Sequence, residues 1–322
     1  MTDKIKKIDP IIRVDHLVKR YHKAKKNAVN DISFEVMPGE FFAFLGPNGA
    51  GKTTTISILT TTLAQTSGKV TIAGYDLDHQ SKQVRQNVGI IFQNPSLDLD
   101  LTAEENIRLH AGLYNEFAFK PAYGLMPEAY KQKVGELAKL VGLESDLFKP
   151  MKTFSGGMKR KLEIVRSLMH APKVLFLDEP TSGLDPVSRN DLWQYLQKVR
   201  REHGTTIFLT THYLDEAEGA GRVCVINQGK IMSIGTPTEI KHQISEEFAL
   251  FDADDRDALR KELQSLGCEI LEEKPHFKVR IHDSASAQKL VSRIKSPLNI
   301  LQISMPSLEE AYIKLIKDEE EQ

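Results

Sequence analysis

The sequence predicts an α/β fold with a smaller α+β unit behind it, and three observations carry that expectation. The run EFFAFL, Glu40 to Leu45, is apolar on both alternating faces, which suits a strand buried inside a parallel sheet. It leads straight into the glycine-rich stretch GPNGAGKTT and a segment with helical apolar spacing at Ile56, Leu59 and Leu63. Two later apolar runs, Val174 to Leu177 and Ile207 to Leu209, again end in polar residues, Asp178 with Glu179 in the first case and His212 in the second. Beyond about residue 240 the rhythm changes to short strands and amphipathic helices. A chain of 322 residues has room for both units.

Taken in order, Ile11 to Val36 reads as a small antiparallel sheet. IIRVDHLV is followed by Ile32, Phe34 and Val36 alternating with Ser33 and Glu35, and Pro38-Gly39 turns the chain. The charged run KRYHKAKK between these strands reads as a solvated loop, and Tyr21 within it is either an ordinary half-buried tyrosine or a stacking surface for a base. SGKVTIAGYDL reads as a hairpin punctuated by Gly68 and Gly74. NVGIIFQNP is another buried strand, which sets Gln93 at a strand end, where α/β proteins bind ligands. A helical insertion over about 94–170 follows: Thr102 and Glu105 stand in capping-box relation before one amphipathic helix, and KQKVGELAKLVGL makes a second. NEFAFKPAYGLMPEAY between them receives no role. Ser155 is placed to cap a third helix that carries Met158, Leu162, Val165 and Met169 on one face.

VCVIN and KIMSIG then flank a turn at Gln228-Gly229, and Pro237 with the polar residues after it marks a boundary, so that one domain is expected over 1–240 and a second over 241–322. In the second, EFALFDA, CEILEE, HFKVRIH and LNILQIS read as strands, and DRDALRKELQSLG, SAQKLVSRIK and SLEEAYIKLIK as helices. That order is the split βαβ-βαβ pattern of ferredoxin-like domains. No cluster of reactive side chains gives this unit a chemistry, so a structural or dimer-regulating module is expected.

GPNGAGKTT satisfies G-x-x-x-x-G-K-[ST] at every position and sits between strand and helix, so the expected ligand is a nucleoside triphosphate. Gly46, Gly49 and Gly51 let backbone N–H groups close around phosphate oxygens, with Pro47, Asn48 and Ala50 completing the loop and Thr54 the helix start. Lys52 supplies a point charge and the Thr53 hydroxyl reaches Mg²⁺. Asp178 and Glu179 are neighbours on one strand and face different ways, so they can divide labour. Asp178 suits a Mg²⁺ shell and Glu179 can take the proton of an attacking water. His212, at the same sheet edge, can bond a γ-phosphate, although an isolated histidine is more often structural. Ser155, Gly156 and Gly157 expose N–H groups at another helix N-terminus, where the dipole favours an anion.

Composition narrows the partners. With 43 basic and 44 acidic residues the formal charge is -1, so no global basic field draws the chain to nucleic acid or bare anionic lipid. The cysteines, Cys224 and Cys268, have neither zinc spacing nor a disulfide framework, which points to a reducing cytosol. No signal-type core or membrane-length apolar run is found, so service to a membrane would be from its surface through a protein partner.

In order and spacing, GPNGAGKTT, Gln93, FSGGM, LFLDEP, SGLD and His212 resemble the ATP-binding subunit of ATP-binding cassette (ABC) transporters, over about Tyr21 to Gly235. The resemblance implies a P-loop NTPase core with an antiparallel β subdomain and a helical subdomain, in which two chains sandwich two ATP molecules. Each ATP would lie between the P-loop of one chain and Ser155 to Gly157 of the other. It also implies roles: Tyr21 stacks on adenine, Gln93 reads Mg²⁺ and the attacking water, Glu179 is general base, Asp185 communicates across the dimer, and His212 holds the γ-phosphate. Phe154 and Met158 replace the family's usual Leu and Gln. Met158 and the C-terminal SLEEAYIKL are similar to the daunorubicin-resistance-type, ABC-2 exporter branch. The resemblance therefore implies a homodimeric ATPase at the cytoplasmic face of the inner membrane, powering a separate transmembrane permease for a drug, lipid or glycan-type cargo. A regulatory ATPase of the same family without a transport partner is the alternative. The cargo itself binds the partner and is not written here.

Overall fold

The computed structural model describes residues 9–94, 96–244, 247–272, 274–281, 284–304 and 307–320, and its contacts divide into two units after Ile234. In the first unit β1 (Ile12–Lys19) and β2 (Val29–Val36) pair antiparallel, with Ile12 opposite Val36 and Val14 opposite Phe34. β3 (Phe41–Leu45) is buried at every position, as its unbroken apolar run requires. There follow α1 (Lys52–Leu59), the hairpin β4 (Ser67–Ile72) and β5 (Tyr75–Asp76), α2 (Ser81–Asn87) and β6 (Val88–Ile91). The antiparallel sheet runs β2-β1-β4-β5. It packs on β3 through Phe34, whose ring lies 5.7 Å from that of Phe42 and stacks nearly parallel to it.

Helix α1 is shorter than its apolar spacing predicts. Thr60 Oγ1 donates to Ile56 O at 2.8 Å, Thr61 takes a φ of 61°, and the amides of Thr62 and Leu63 turn back to Ser57 O. Threonine hydroxyls that bond the preceding turn compete with continuation of the helix, and they end it a turn before Leu63.

The helical insertion consists of α3 (Ala103–Leu113), α4 (Glu128–Val141) and α5 (Gly156–Leu168). Thr102 and Glu105 form the expected capping box. Tyr130 of α4, fully buried, donates its hydroxyl to Glu104 of α3 at 2.9 Å, and Glu104 is held in turn by Arg108 Nε at 3.0 Å. The stretch left without a role closes over this knot, with Phe117 and Tyr123 set edge-on to Tyr130 at 5.5 and 6.4 Å.

After the insertion come β7 (Val174–Asp178), α6 (Pro186–His203), β8 (Thr206–Thr211), α7 (Leu214–Glu218), β9 (Arg222–Asn227) and β10 (Lys230–Gly235). Asp185 caps α6, Pro186 opens it and Gly204 closes it in the left-handed region. Trp193 on α6 stacks on Phe41 at the start of β3, 4.6 Å between centroids. The central sheet runs β10-β9-β3-β8-β7-β6, with β9, β3, β8, β7 and β6 parallel. Its register sets Leu45 beside Thr211 and Asp178 beside Thr210, so the loops after β3, β7 and β8 leave from one edge.

In the second unit α8 (Pro237–Ile244) is a helix over the stretch where the sequence marks a boundary, begun by reciprocal bonds between Thr236 and Glu239 and anchored by the buried Ile240. β11 (Glu247–Asp252), α9 (Arg256–Ser265), β12 (Ile270–Glu272), β13 (Phe277–Ile281), α10 (Ser284–Val291), β14 (Ile300–Ser304) and α11 (Leu308–Glu320) complete it. Its sheet runs β12-β13-β11-β14 in antiparallel pairs, and Ala249, Phe251, Phe277 and Val279 face a core shared with Leu259 and Leu263 of α9.

Candidate functional site

A cleft of about 430 Å³ opens at the carboxyl edge of the central sheet, lined by Ala28, Asn48, Gly49, Gly51, Lys52, Thr53, Thr54, Gln93, Glu179, Ser182 and His212. Glycines make its floor possible. A Cβ on Gly46 would lie 2.3 Å from Ile226 O of β9, and Gly51 has a φ of 107° with Ala28 O 2.5 Å from where a Cβ would stand. Gly51 offers no side-chain cap to α1, so the first N–H groups of that helix stay open to an anion.

Lys52, 4% exposed, is held by Gly46 O at 2.8 Å and Pro47 O at 3.1 Å and pairs with Glu179 Oε1 at 3.1 Å. Glu179 is thus the hub of the cleft. Its Oε2 accepts from Gln93 Nε2 at 3.4 Å and lies 3.3 Å from His212 Nδ1, a separation without hydrogen-bond alignment. Its backbone has a φ of 44°, a strained value for a non-glycine residue that turns the chain sharply at the end of β7. Asp178, its neighbour, accepts from Thr210 Oγ1 at 2.5 Å and from Thr53 Oγ1 at 3.4 Å. Burial pushes the Asp178 carboxyl above the usual carboxylate range, while the two threonine hydroxyls and Lys52 oppose the rise. Tyr21, 46% exposed, reaches the rim, with its hydroxyl 3.3 Å from Thr54 Oγ1.

The structure does not bring Ser155, Gly156, Gly157 or Asp185 into this cleft. They lie together elsewhere: the positions a Cβ would take on Gly156 and Gly157 meet Leu184 and Ser188, at the start of α6. Ser155 Oγ accepts from Met158 N at 3.2 Å, the expected cap, and Ser155 and Gly156 are exposed. Asp185 accepts from the amides of Val187 and Ser188 at 3.0 Å, and the Ser188 hydroxyl holds its carboxyl below the usual range.

Several residues of consequence had no local signal in the sequence. Arg160 of α5 is buried and donates to Phe92 O at 2.5 Å, to Gln93 O, and to Glu163 at 2.8 Å, which fastens the Gln93 loop to the helix that Ser155 caps. Thr210 bridges Asp178 and the Glu179 amide. Neither was singled out from the sequence: Thr210 is one of several threonines around the β8 run, and the Phe92 and Gln93 carbonyls that hold Arg160 lie almost seventy residues away.

Fold and cleft together define a P-loop nucleotide-binding protein of the parallel α/β kind. The family model described as ABC transporter matches residues 29–182. The linearmycin resistance ATP-binding protein LnrL of Bacillus subtilis is 37% identical over 231 residues, covering 71% of this chain and 70% of that one. The probable multidrug ABC transporter ATP-binding protein YbhF of Escherichia coli is 37% identical over 235 residues, 73% of this chain; the chain spans only 39% of YbhF. Among solved structures, the dimeric post-hydrolysis state of the cassette MJ0796 bound to ADP and Pi superposes with a TM-score of 0.60 at 25% identity, covering 70% of this chain and 98% of that one. The chain belongs to the ABC transporter family, as one of its ATP-binding proteins. No helix among the described residues is long and apolar enough to cross a membrane.

Proposed function

We propose that this chain hydrolyses ATP to drive an exporter whose transmembrane part is a separate, ABC-2 type permease. The observation that carries this reading is the convergence on Glu179 of Lys52, Gln93 and His212 in the cleft that the glycine loop floors. Lys52 spends its charge on two P-loop carbonyls and on Glu179. Phosphate oxygens entering over the open N–H groups of α1 are better partners for that ammonium and draw it off the carboxylate. Glu179 is then free to orient a water and take its proton, with Gln93 and His212 beside it to hold water and γ-phosphate. Tyr21 at the rim is placed to stack on the adenine.

The oxygens present suit magnesium. Thr53 and Asp178 already face each other, and Gln93 stands across the cleft, a hard-oxygen set that leaves the remaining positions to phosphate and water. Among the described residues no group of His, Cys, Asp and Glu side chains forms a metal cage by itself, which fits an ion that arrives with its nucleotide. Bound there, the ion would neutralise charge developing on the phosphoryl oxygens.

Ser155 to Gly157 and Asp185 lie outside the cleft, with Ser155, Gly156 and Asp185 exposed, which supports a homodimer in which each chain supplies the second wall of its partner's site. The dimeric state of the similar MJ0796 cassette supports a dimer. The second unit we read as a ferredoxin-like accessory domain, over about 241–322, behind a cassette of about 1–240. Relatives named for drug resistance support export, with the ATPase at the inner, cytoplasmic face of the membrane. The test is phosphate release by the purified chain and by Glu179→Gln, with retained nucleotide counted alongside. Turnover should fall ~10²–10⁴-fold while ATP still binds. Hydrolysis within a factor of two of the parent removes Glu179 from its role.

A further inference from the structure

The loops that carry Glu179 and His212 leave the sheet side by side, and one side chain outside the cleft fastens both. Glu216 of α7 is 2% exposed and does not line the cleft. Its Oε1 accepts from the hydroxyl of Thr181, two residues beyond Glu179, and its Oε2 accepts from the hydroxyl of Thr211 at 2.6 Å, the residue before His212. Thr211 Oγ1 also accepts the amide of Tyr213 at 2.9 Å, so the backbone is clamped on either side of His212. The Tyr213 ring in turn carries the guanidinium of Arg189 at 4.2 Å, from the first turns of α6, the helix that Asp185 caps.

A carboxylate buried this deeply is costly unless its oxygens are satisfied, and an apolar side chain would fill the same space at less expense. Both oxygens are satisfied here, and each bond ends on a loop that bears a group of the cleft. We infer that Glu216 is a positioning residue for the hydrolytic reaction: by tying Thr181 and Thr211 to one carboxylate it sets the spacing and angle of Glu179 and His212. Through Tyr213 and Arg189 the same knot extends to α6, so a shift at Asp185 reaches His212 through packed groups. Reaction geometry tolerates little error, since a displacement of about 1 Å costs on the order of 10²-fold in rate.

This rests on the reading of the chain as an ATPase in which Glu179 and His212 act, and the experiment separates the two. Steady-state kcat and KM for ATP are measured on the full chain for Glu216→Ala, Glu216→Gln, Thr181→Val, Thr211→Val and, in parallel, Glu179→Gln. Glu216→Ala should lower kcat roughly 10- to 100-fold with KM within about threefold, because the nucleotide is bound by groups it does not touch. Glu216→Gln should recover most of that loss, since an amide can accept from one hydroxyl and donate to the other. Each threonine variant, close to the parent in volume, should lose part of the turnover, and these carry the test if Glu216→Ala does not fold. Parent turnover in both threonine variants, or kcat and ATP affinity falling together in every variant, overturns the inference. If Glu179→Gln is inactive while Glu216→Ala is fully active, only the positioning role fails. If Glu179→Gln is as active as the parent, the ATPase reading fails and takes this inference with it.

Discussion

Two helices of this chain begin on glycines and turn their first N–H groups outward, and the surroundings make them unlike. At α1 the cap residue Gly51 brings no side chain to bond the helix start, Lys52 is buried beside the open N–H groups, and Glu179 stands opposite across a walled cleft. At α5 the serine cap bonds its own helix, the glycines are exposed or face the start of α6, and none of them lines the cleft at the sheet edge. Both carry the same dipole, worth only about 0.3–1 kcal/mol toward an exposed anion. Walls, burial and a fixed counter-charge turn the first into a binding site. The second has the donors of a site without its enclosure, and on the proposed function a second chain supplies it.

That contrast breaks most sharply in mixtures. Lys52→Ala disables the first kind of helix start and Ser155→Arg the second, and with Glu179→Gln added to both chains turnover is blocked. If the two halves meet across a dimer, a mixed dimer holds one doubly damaged site and one intact site. Each should retain about one ATP, against almost none for either variant alone. Mixed dimers that form and retain no nucleotide sink the shared site.

A smaller effect sharpens the same comparison at the rim of the α1 cleft. Tyr21→Ala should weaken ATP binding by about 1–2 kcal/mol, as the loss of base stacking on an aromatic does, and leave saturated turnover nearly as it was. Titration with ATP and kcat from the same preparation decide it; an unchanged affinity makes Tyr21 a surface tyrosine.

The smallest effect lies at α5 without any nucleotide. Ser155→Ala removes a cap and should cost about 1 kcal/mol of stability, a shift of a few degrees or less in a chain of this size. The corresponding Gly51→Ala should cost more, because it forces a Cβ against Ala28 O at a φ of 107°. Thermal melts of the two variants in nucleotide-free buffer check the ranking. The reverse order would mean that the α1 loop adapts more easily than its geometry allows.

What could be read from the sequence follows the range of the forces involved. β3, β7 and β8 were legible because an apolar run on both faces has few solutions other than a buried parallel strand. Ser155 and the Thr102–Glu105 box were legible because capping is settled within four residues. The end of α1 was misjudged because apolar spacing predicts where a helix is wanted, whereas the hydroxyls of Thr60 and Thr62 decide where it stops. Helix α6, with Leu192, Leu196 and Val199 as its buried residues, offers a thin stripe on a polar surface, and its signals at Asp185, Pro186 and Gly204 are brief. Arg160 and Glu216 were out of reach for a different reason: each is an ordinary charged residue until the fold brings distant partners to it. Glu216 reaches Thr181 across 35 positions, and Arg160 reaches Phe92 across 68.

The stacking of Trp193 on Phe41 has a use beyond packing. Trp193 is the chain's single tryptophan, and it lies on α6, which Asp185 caps, while Phe41 begins the strand that leads into the P-loop. One intrinsic fluorophore therefore sits where α6, the helix that Asp185 caps, packs on the start of β3, with Gly219 of the turn after α7 also close to its indole. Emission from the unlabelled protein is a direct optical readout of how that helix sits on the sheet, and an ATP titration followed by light alone can time the movement of one against the other.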